Sequence, residues 1–321
     1  MKKLSAAEMV ERVVTGDRRI AARTITLVEN EMDEHHEIMK LIYPHSGQAR
    51  IIGVTGVGGA GKSTLTNHIV RKLRGQDKKV GVIVVDPSSP FSGGALLGDR
   101  IRMQSHTLDP GVFIRSMASR GYLGGLSKGT YDVIRIMEAM GMDVVIVETL
   151  GAGQDEIDLI HIAGTCLLVH TPNMGDDIQA MKAGIMEIAD INVLNKADQE
   201  GADTSFRQLR NSISAAGFEA GAWVPKVIAT VSMAAKLEDL KGIDELMDTI
   251  AEHDAHLHAG NHIDRVRFAR VEQELGVVFK EKMERKIYNE LKSTGKKKEY
   301  INSIIEGATN PYSVSDEVLN F

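Results

Sequence analysis

Residues 50–64 read Arg50-Ile51-Ile52-Gly53-Val54-Thr55-Gly56-Val57-Gly58-Gly59-Ala60-Gly61-Lys62-Ser63-Thr64. The apolar run at the front predicts a buried strand, the glycines a turn, and the segment from Lys62 a helix. Gly56 to Ser63 fits G-x-x-x-x-G-K-[ST], a loop that cradles phosphates. The chemistry requires these residue types. Glycines let the backbone curl until several N–H groups point inward at phosphate oxygens. The helix N-terminus adds the positive end of its dipole. Lys62 is expected to reach the β- and γ-phosphates and the Ser63 hydroxyl to bind Mg²⁺. Backbone and side chains of Gly58, Gly59, Ala60, Gly61, Lys62, Ser63 and Thr64 form the expected phosphate site.

Downstream, Lys79 to Asp86 is a second apolar run that ends in an acid. Unbroken apolar runs suit a parallel sheet covered on both faces. Ligands bind at the carboxyl ends of such strands, where Asp86 falls. Turn-rich loops follow at 87–94 and 120–125, and strands are expected at 112–115 and 143–148. The latter ends in Glu148 and is followed by Thr149-Leu150-Gly151-Ala152-Gly153-Gln154. A carboxylate at a strand end with a glycine three residues on matches a Mg²⁺-binding strand and the switch that senses a γ-phosphate.

A fifth strand is expected at 165–171, then a loop at 172–177 and a helix at 178–189. The sixth strand, from Ile191, runs into Asn195-Lys196-Ala197-Asp198. A carboxylate at Asp198 can accept from both N1–H and the 2-amino group of guanine. Adenine offers no such donor pair, so the pattern selects GTP. Lys196 is placed along the base. A seventh strand within 222–231 leads to Ser232-Met233, the expected base-contacting loop, and a last helix spans about 242–259.

The flanks read as helices. Ser5-Ala6-Ala7-Glu8 is a capping box, and further helices centre on Ile25 and Ile38, closed before Pro44. From Ile263 a long charged helix carries Val266, Phe268, Val271, Leu275, Phe279, Met283, Ile287 and Leu291, ended by Gly295. Such a stripe needs a partner surface, and a homodimer is the expected one. A short helix is expected at 300–305, before a tail at 310–316. His253, His256, His258 and His262 are read as solvated surface histidines, since they do not share one helical face. The divisions are 1–46 for the N-terminal extension, 47–260 for the nucleotide domain and 261–321 for the C-terminal arm.

Bulk composition is ordinary for a soluble protein: 321 residues, 43% hydrophobic and 26% charged. A net charge of −6 argues against a nucleic-acid partner. One cysteine, Cys166, sits in an apolar run, which excludes a disulfide framework and suits a reducing cytosol. No signal peptide or membrane span is visible, so a cytoplasmic location is expected.

Taken together, Ala22 to Glu29, Gly56 to Thr64, Asp86 to Gly94, Gly98-Asp99-Arg100, Arg120 to Gly125, Glu148-Thr149 with Gly153-Gln154, Asp176 to Asp190, Asn195 to Asp198 and Asn310 to Ser313 resemble the MeaB/ArgK family of P-loop GTPases. The resemblance covers the whole chain. It implies an α/β P-loop NTPase fold of the SIMIBI type, with a mostly parallel seven-stranded sheet, an N-terminal helical extension and a C-terminal helical dimerisation arm. It implies a homodimeric GTPase chaperone that gates cofactor loading of an adenosylcobalamin-dependent acyl-CoA mutase and protects it, with an adenosyltransferase as a further partner. It implies Mg²⁺ contacts from Ser63, Asp86, Asp99 and Glu148, a switch II around Gln154, and a partner-sensing switch III around Asp176, Gln179 and Lys182. The sequence departs from the family at Gly58-Gly59 for proline-glycine, at Leu150-Gly151-Ala152, and at Ser232-Met233 for Ser-Ala. Two other classes compete: a nickel-type metallochaperone GTPase, which wants a His-rich or Cys-rich ligand set, and a kinase, which would pass the γ-phosphate to an acceptor.

Overall fold

Each apolar run of the sequence becomes a strand because it can be covered on both sides. A computed structural model describes residues 4–30, 32, 34–86, 106, 108–118, 128–149, 159–160, 162–172, 189–219, 221–233, 239–260 and 262–319. The chain forms two compact units, residues 1–269 and 270–321.

The first unit opens with α1 (Ala6–Val14), α2 (Arg18–Glu29) and α3 (His35–Ile42). The Ser5 hydroxyl accepts the Glu8 N–H at 3.2 Å, and the Glu8 carboxylate accepts the Ser5 N–H at 2.7 Å, which closes the capping box. Asp17 caps α2 with its carboxylate alone, which accepts from the N–H groups of Arg19 and Ile20. Then come β1 (Arg50–Gly56), α4 (Lys62–Arg74), β2 (Val80–Asp86), β3 (Val112–Ala118), α5 (Lys128–Ala139), β4 (Val144–Thr149), β5 (Thr165–His170), β6 (Ile191–Asn195), α6 (Ala202–Ala216), β7 (Lys226–Thr230) and α7 (Ile243–Ala259). The seven strands form one sheet in the order β3-β2-β4-β1-β5-β6-β7, every named pair parallel.

Side chains alternate across each strand, so the two faces can be assigned. On one face Ile52, Val54, Val82, Val84, Ile146, Val169 and Val193 pack with Leu65, Ile69 and Leu73 of α4 and Leu246 and Ile250 of α7. On the other, Leu168 and Leu194 pack with Leu209 of α6. Burying one such leucine or isoleucine stabilises the fold by roughly 1.5–3 kcal/mol. Helix α5 lies on this second face, close enough to β2 that a Cβ at Gly81 would sit 2.6 Å from the Met137 sulfur. The second face also buries His170, which shares a hydrogen bond with Asn192 at 2.9 Å; burial holds its imidazole pKa below the usual value.

The N-terminal helices pack on α5. Buried polar groups fix the contact: His35 Nε2 lies 2.8 Å from Asp132, and Arg135 pairs with Glu138 at 3.3 Å while stacking over Tyr43. The N-terminal helices thus pack on the nucleotide domain. Helix α6 has no counterpart in the sequence reading. Parallel strands β6 and β7 need a crossover of a dozen or more residues, and α6 supplies it.

The sheet-flanking helix α7 corrects one expectation. His253 is not solvated; it is buried, with Nδ1 3.0 Å from the Thr165 hydroxyl and Nε2 3.2 Å from Asp190. Its ring lies against Trp223, and His256 stacks on His262 with ring centroids 5.0 Å apart. Among the described residues, no group of three or more His, Cys, Asp or Glu side chains could hold a metal ion.

The long helix α8 (His262–Ser293) is followed by α9 (Lys296–Ile305) and α10 (Pro311–Val318). The tail expected at 310–316 is helical from Pro311 on. Asn310 caps it by accepting from the N–H groups of Tyr312 and Ser313, with Pro311 at the first helical position. Within the second unit Val271, Leu275, Phe279 and Met283 recur every four residues and are all exposed. Among the described residues, no helix is long and apolar enough to cross a membrane.

Candidate functional site

The phosphate loop begins where β1 ends. Gly56 has φ +134°, and a Cβ there would meet the Val169 carbonyl oxygen at 2.1 Å. Only glycine permits that approach to β5. Gly58 and Gly59 are exposed at the loop tip, and Ala60 is buried beneath it. Gly61 stands in the left-handed region at φ +90°, and α4 starts at the next residue. The Lys62 ammonium curls back over the loop and donates to the carbonyls of Gly56 at 2.6 Å and Val57 at 2.9 Å. The Ser63 hydroxyl donates to Glu148 Oε1 at 2.5 Å. Thr64 lies half-buried in the first turn of α4.

Register places the acids. Glu148 pairs with Val54 of β1 and with Val84 of β2. Val54 and Val84 face α4, so Glu148 does too. Asp86 is two residues beyond Val84 and shares that face. Both carboxylates are buried at strand carboxyl ends beneath the start of α4. An alcohol and two carboxylates are the hard oxygen donors that Mg²⁺ takes.

The base end is built on β6 and β7. Asn195 is buried at the tip of β6, and its Nδ2 donates to the Ala60 carbonyl at 2.7 Å. Its Oδ1 accepts from the Thr230 hydroxyl at 3.1 Å and the Ser232 N–H at 3.2 Å. One side chain thus ties the phosphate loop to β7 and to the base loop. Lys196 takes φ +60°, unusual for a lysine, and turns the chain so that Asp198 is exposed. Ser232 is buried, whereas Met233 is 77% exposed. The carbonyl of Ser232 also meets His68 Nε2 of α4 at 2.9 Å.

Two contacts here carry no sequence motif. His68 is one; the other is the buried hydroxyl pair of Thr55 and Thr149, 2.9 Å apart, which joins β1 to β4. The expected roles of Asp99, Gln154, Asp176, Gln179 and Lys182 fall outside the described residues, as do the loops at 87–94 and 120–125 and residues 178–188 of the helix expected at 178–189.

A glycine-rich loop that opens a helix at the centre of a parallel sheet, with carboxylates on one side and N-K-x-D on the other, defines a P-loop GTPase fold. The comparison with protein families agrees. The chain belongs to the MeaB family: the family "Methylmalonyl Co-A mutase-associated GTPase MeaB" matches residues 21–292. A relative from Pyrococcus abyssi, itself a GTPase by name, is 47% identical over 315 residues, which cover 97% of this chain and 95% of the relative. The "Fused isobutyryl-CoA mutase" of Cupriavidus metallidurans is 38% identical over 213 residues, 65% of this chain and 19% of that protein. The solved structure of a "LAO/AO transport system kinase" superposes with a TM-score of 0.70 at 25% identity, covering 100% of this chain and 98% of that one.

Proposed function

We propose that this protein hydrolyses GTP with Mg²⁺ and couples the cycle to cofactor loading and protection of an adenosylcobalamin-dependent acyl-CoA mutase. One observation carries the choice of partner: a similar stretch occurs inside a single polypeptide named for an acyl-CoA mutase. Fusion of two activities in one chain holds them at high effective concentration, which rewards partners that act together.

The residues divide the work. The Gly58–Gly61 backbone wraps the phosphates, and Lys62 exchanges its two loop carbonyls for phosphate oxygens. Ser63, Asp86 and Glu148 would hold Mg²⁺, together with Asp99. When bound, the ion neutralises charge that develops on the transferred phosphoryl group. Asp198 selects guanine, Lys196 flanks it, and Ser232-Met233 closes over its far edge. Gln154 acts as the switch beside the γ-phosphate, and Asp176, Gln179 and Lys182 read the docked mutase. A two-state element biased by both nucleotide and partner is what such coupling requires.

The protein works in the cytoplasm as a homodimer, joined through the exposed Val271, Leu275, Phe279 and Met283 of the 261–321 arm, with an adenosyltransferase as the third party. Light scattering that reads a monomer at micromolar concentration would remove the dimer from this scheme. The coupling is tested by GTP turnover with and without saturating cognate mutase. Gln179→Ala and Lys182→Ala should keep basal turnover within about two-fold and lose the stimulation. Unchanged stimulation in both variants would overturn the assignment of switch III.

A further inference from the structure

His68 belongs to no nucleotide-binding motif, yet it reaches the base loop. It lies on α4 two turns past Lys62, and its Nε2 is 2.9 Å from the carbonyl oxygen of Ser232. A carbonyl can only accept, so the imidazole is present with its proton on Nε2. The other end of Ser232 is held too, because its N–H donates to Asn195 Oδ1 at 3.2 Å. Two side chains from different elements therefore clamp one buried residue from opposite ends.

The consequence follows from peptide geometry. The carbonyl of Ser232 and the N–H of Met233 belong to one planar trans unit and point in opposite directions. With the carbonyl turned to α4, the Met233 N–H is turned away from it. Met233 itself is 77% exposed, so the base loop is open to solvent at this residue. We infer that His68 is a positioning residue for base recognition: it fixes the 232–233 peptide so that the Met233 amide is presented to the 6-carbonyl of guanine. The inference rests on the guanine-nucleotide reading of the site above. Asp198 would read the N1–H and 2-amino edge, and the His68-oriented amide would read the acceptor beside it. Two donors and one acceptor are then matched, a pattern that adenine lacks.

The role is distinguishable from ordinary packing because it depends on one donor at one reach. Glutamine carries an amide nitrogen near the position of Nε2, asparagine does not, and leucine carries no donor. GDP affinity of the full chain, read by isothermal titration, should stay within about two-fold for His68→Gln and fall about 10-fold for His68→Asn and His68→Leu. Turnover at saturating GTP should change less than about two-fold in all three, because the peptide touches the base and not the phosphates. Replacing GDP with 6-thio-GDP, which weakens the acceptor at position 6, should penalise wild type and His68→Gln but leave His68→Asn nearly indifferent. If His68→Leu does not fold, the glutamine–asparagine pair decides alone. Wild-type GDP affinity in both His68→Asn and His68→Leu, or an equal 6-thio penalty in all variants, would overturn the inference. Failure of the wild type to bind GDP at all would instead overturn the guanine-nucleotide reading on which it stands.

Discussion

Removing the Asn195 side chain should unfasten two halves of the nucleotide site at once. Its Nδ2 donates to Ala60, and its Oδ1 accepts from Thr230 and Ser232. All three partners are buried. In Asn195→Ala each partner loses its bond inside the protein, and a buried group left without one costs about 1–3 kcal/mol. The Thr230 hydroxyl can rotate toward another acceptor, so the lower figure applies to it. The Ala60 carbonyl and the Ser232 N–H are fixed by the backbone. The sum is about 3–7 kcal/mol, to which a small cavity adds. Asn195→Asp probes the same bonds differently. It keeps both accepted bonds but sets a carboxylate oxygen against the Ala60 carbonyl, where a donor stood 2.7 Å away.

The assay is urea unfolding of the nucleotide-free full chain, followed by GDP titration of the folded fraction. A lower midpoint at constant slope reports lost stability rather than a changed denatured state. Asn195→Ala should lower the extrapolated unfolding free energy by the amount above and weaken GDP at least about 10-fold, since phosphate loop and base loop drift apart. Thr230→Val, which removes one bond, should cost only about 1 kcal/mol. A loss below about 1 kcal/mol for Asn195→Ala, with wild-type GDP affinity, would refute the bracing role.

Two further outcomes test the chemistry. Glu148→Gln or Ser63→Ala should lower GTP turnover at least about 100-fold while GDP affinity changes far less, because the proposal gives both groups to Mg²⁺ and neither to the base; single-turnover hydrolysis and GDP titration separate the two effects. Asp198→Asn should weaken GTP and favour xanthosine triphosphate, because an amide replaces one acceptor with a donor; competition between the two nucleotides for one bound fluorescent analogue reads this directly.

The seven strands and most helices were legible because their signals are local. Ser5 and Glu8 close a capping box that depends on four residues, and Gly295 stops a helix wherever it stands. The phosphate loop was legible because its function constrains the backbone itself. What escaped were features set by neighbours in space. Helix α6 has only a modest apolar face, and its existence follows from the parallel pairing of β6 with β7. His253 sits in a run of histidines that reads as polar, but Thr165 and Asp190 lie close to it and satisfy both ring nitrogens. His68 touches Ser232 across 164 positions of chain, and no spacing rule reaches that far. The helix at 311–318 does carry a local signal, Asn310 and Pro311 as cap and first-turn residue, although the segment around it has little apolar periodicity.

The continuous apolar strands hide one further decision. A strand buried on both faces shows no alternation, so its sequence does not say which residues meet which helix layer. The packing of α4 settles the question. Val84, Ile146, Val193 and Ile228 all face α4 and α7. Counting two residues on from each gives Asp86, Glu148, Asn195 and Thr230, four polar groups at the tips of four strands on the same face. Each strand thus runs apolar while covered by the helices and becomes polar two residues later, on the side where α4 begins. The site is therefore fixed by parity as much as by residue type. Deleting one residue between Ile146 and Glu148 would leave the carboxylate in place along the chain but turn it toward the face that carries Thr55 and Thr149, away from Ser63. A strand-end acid is informative only together with the helix that tells which way it points.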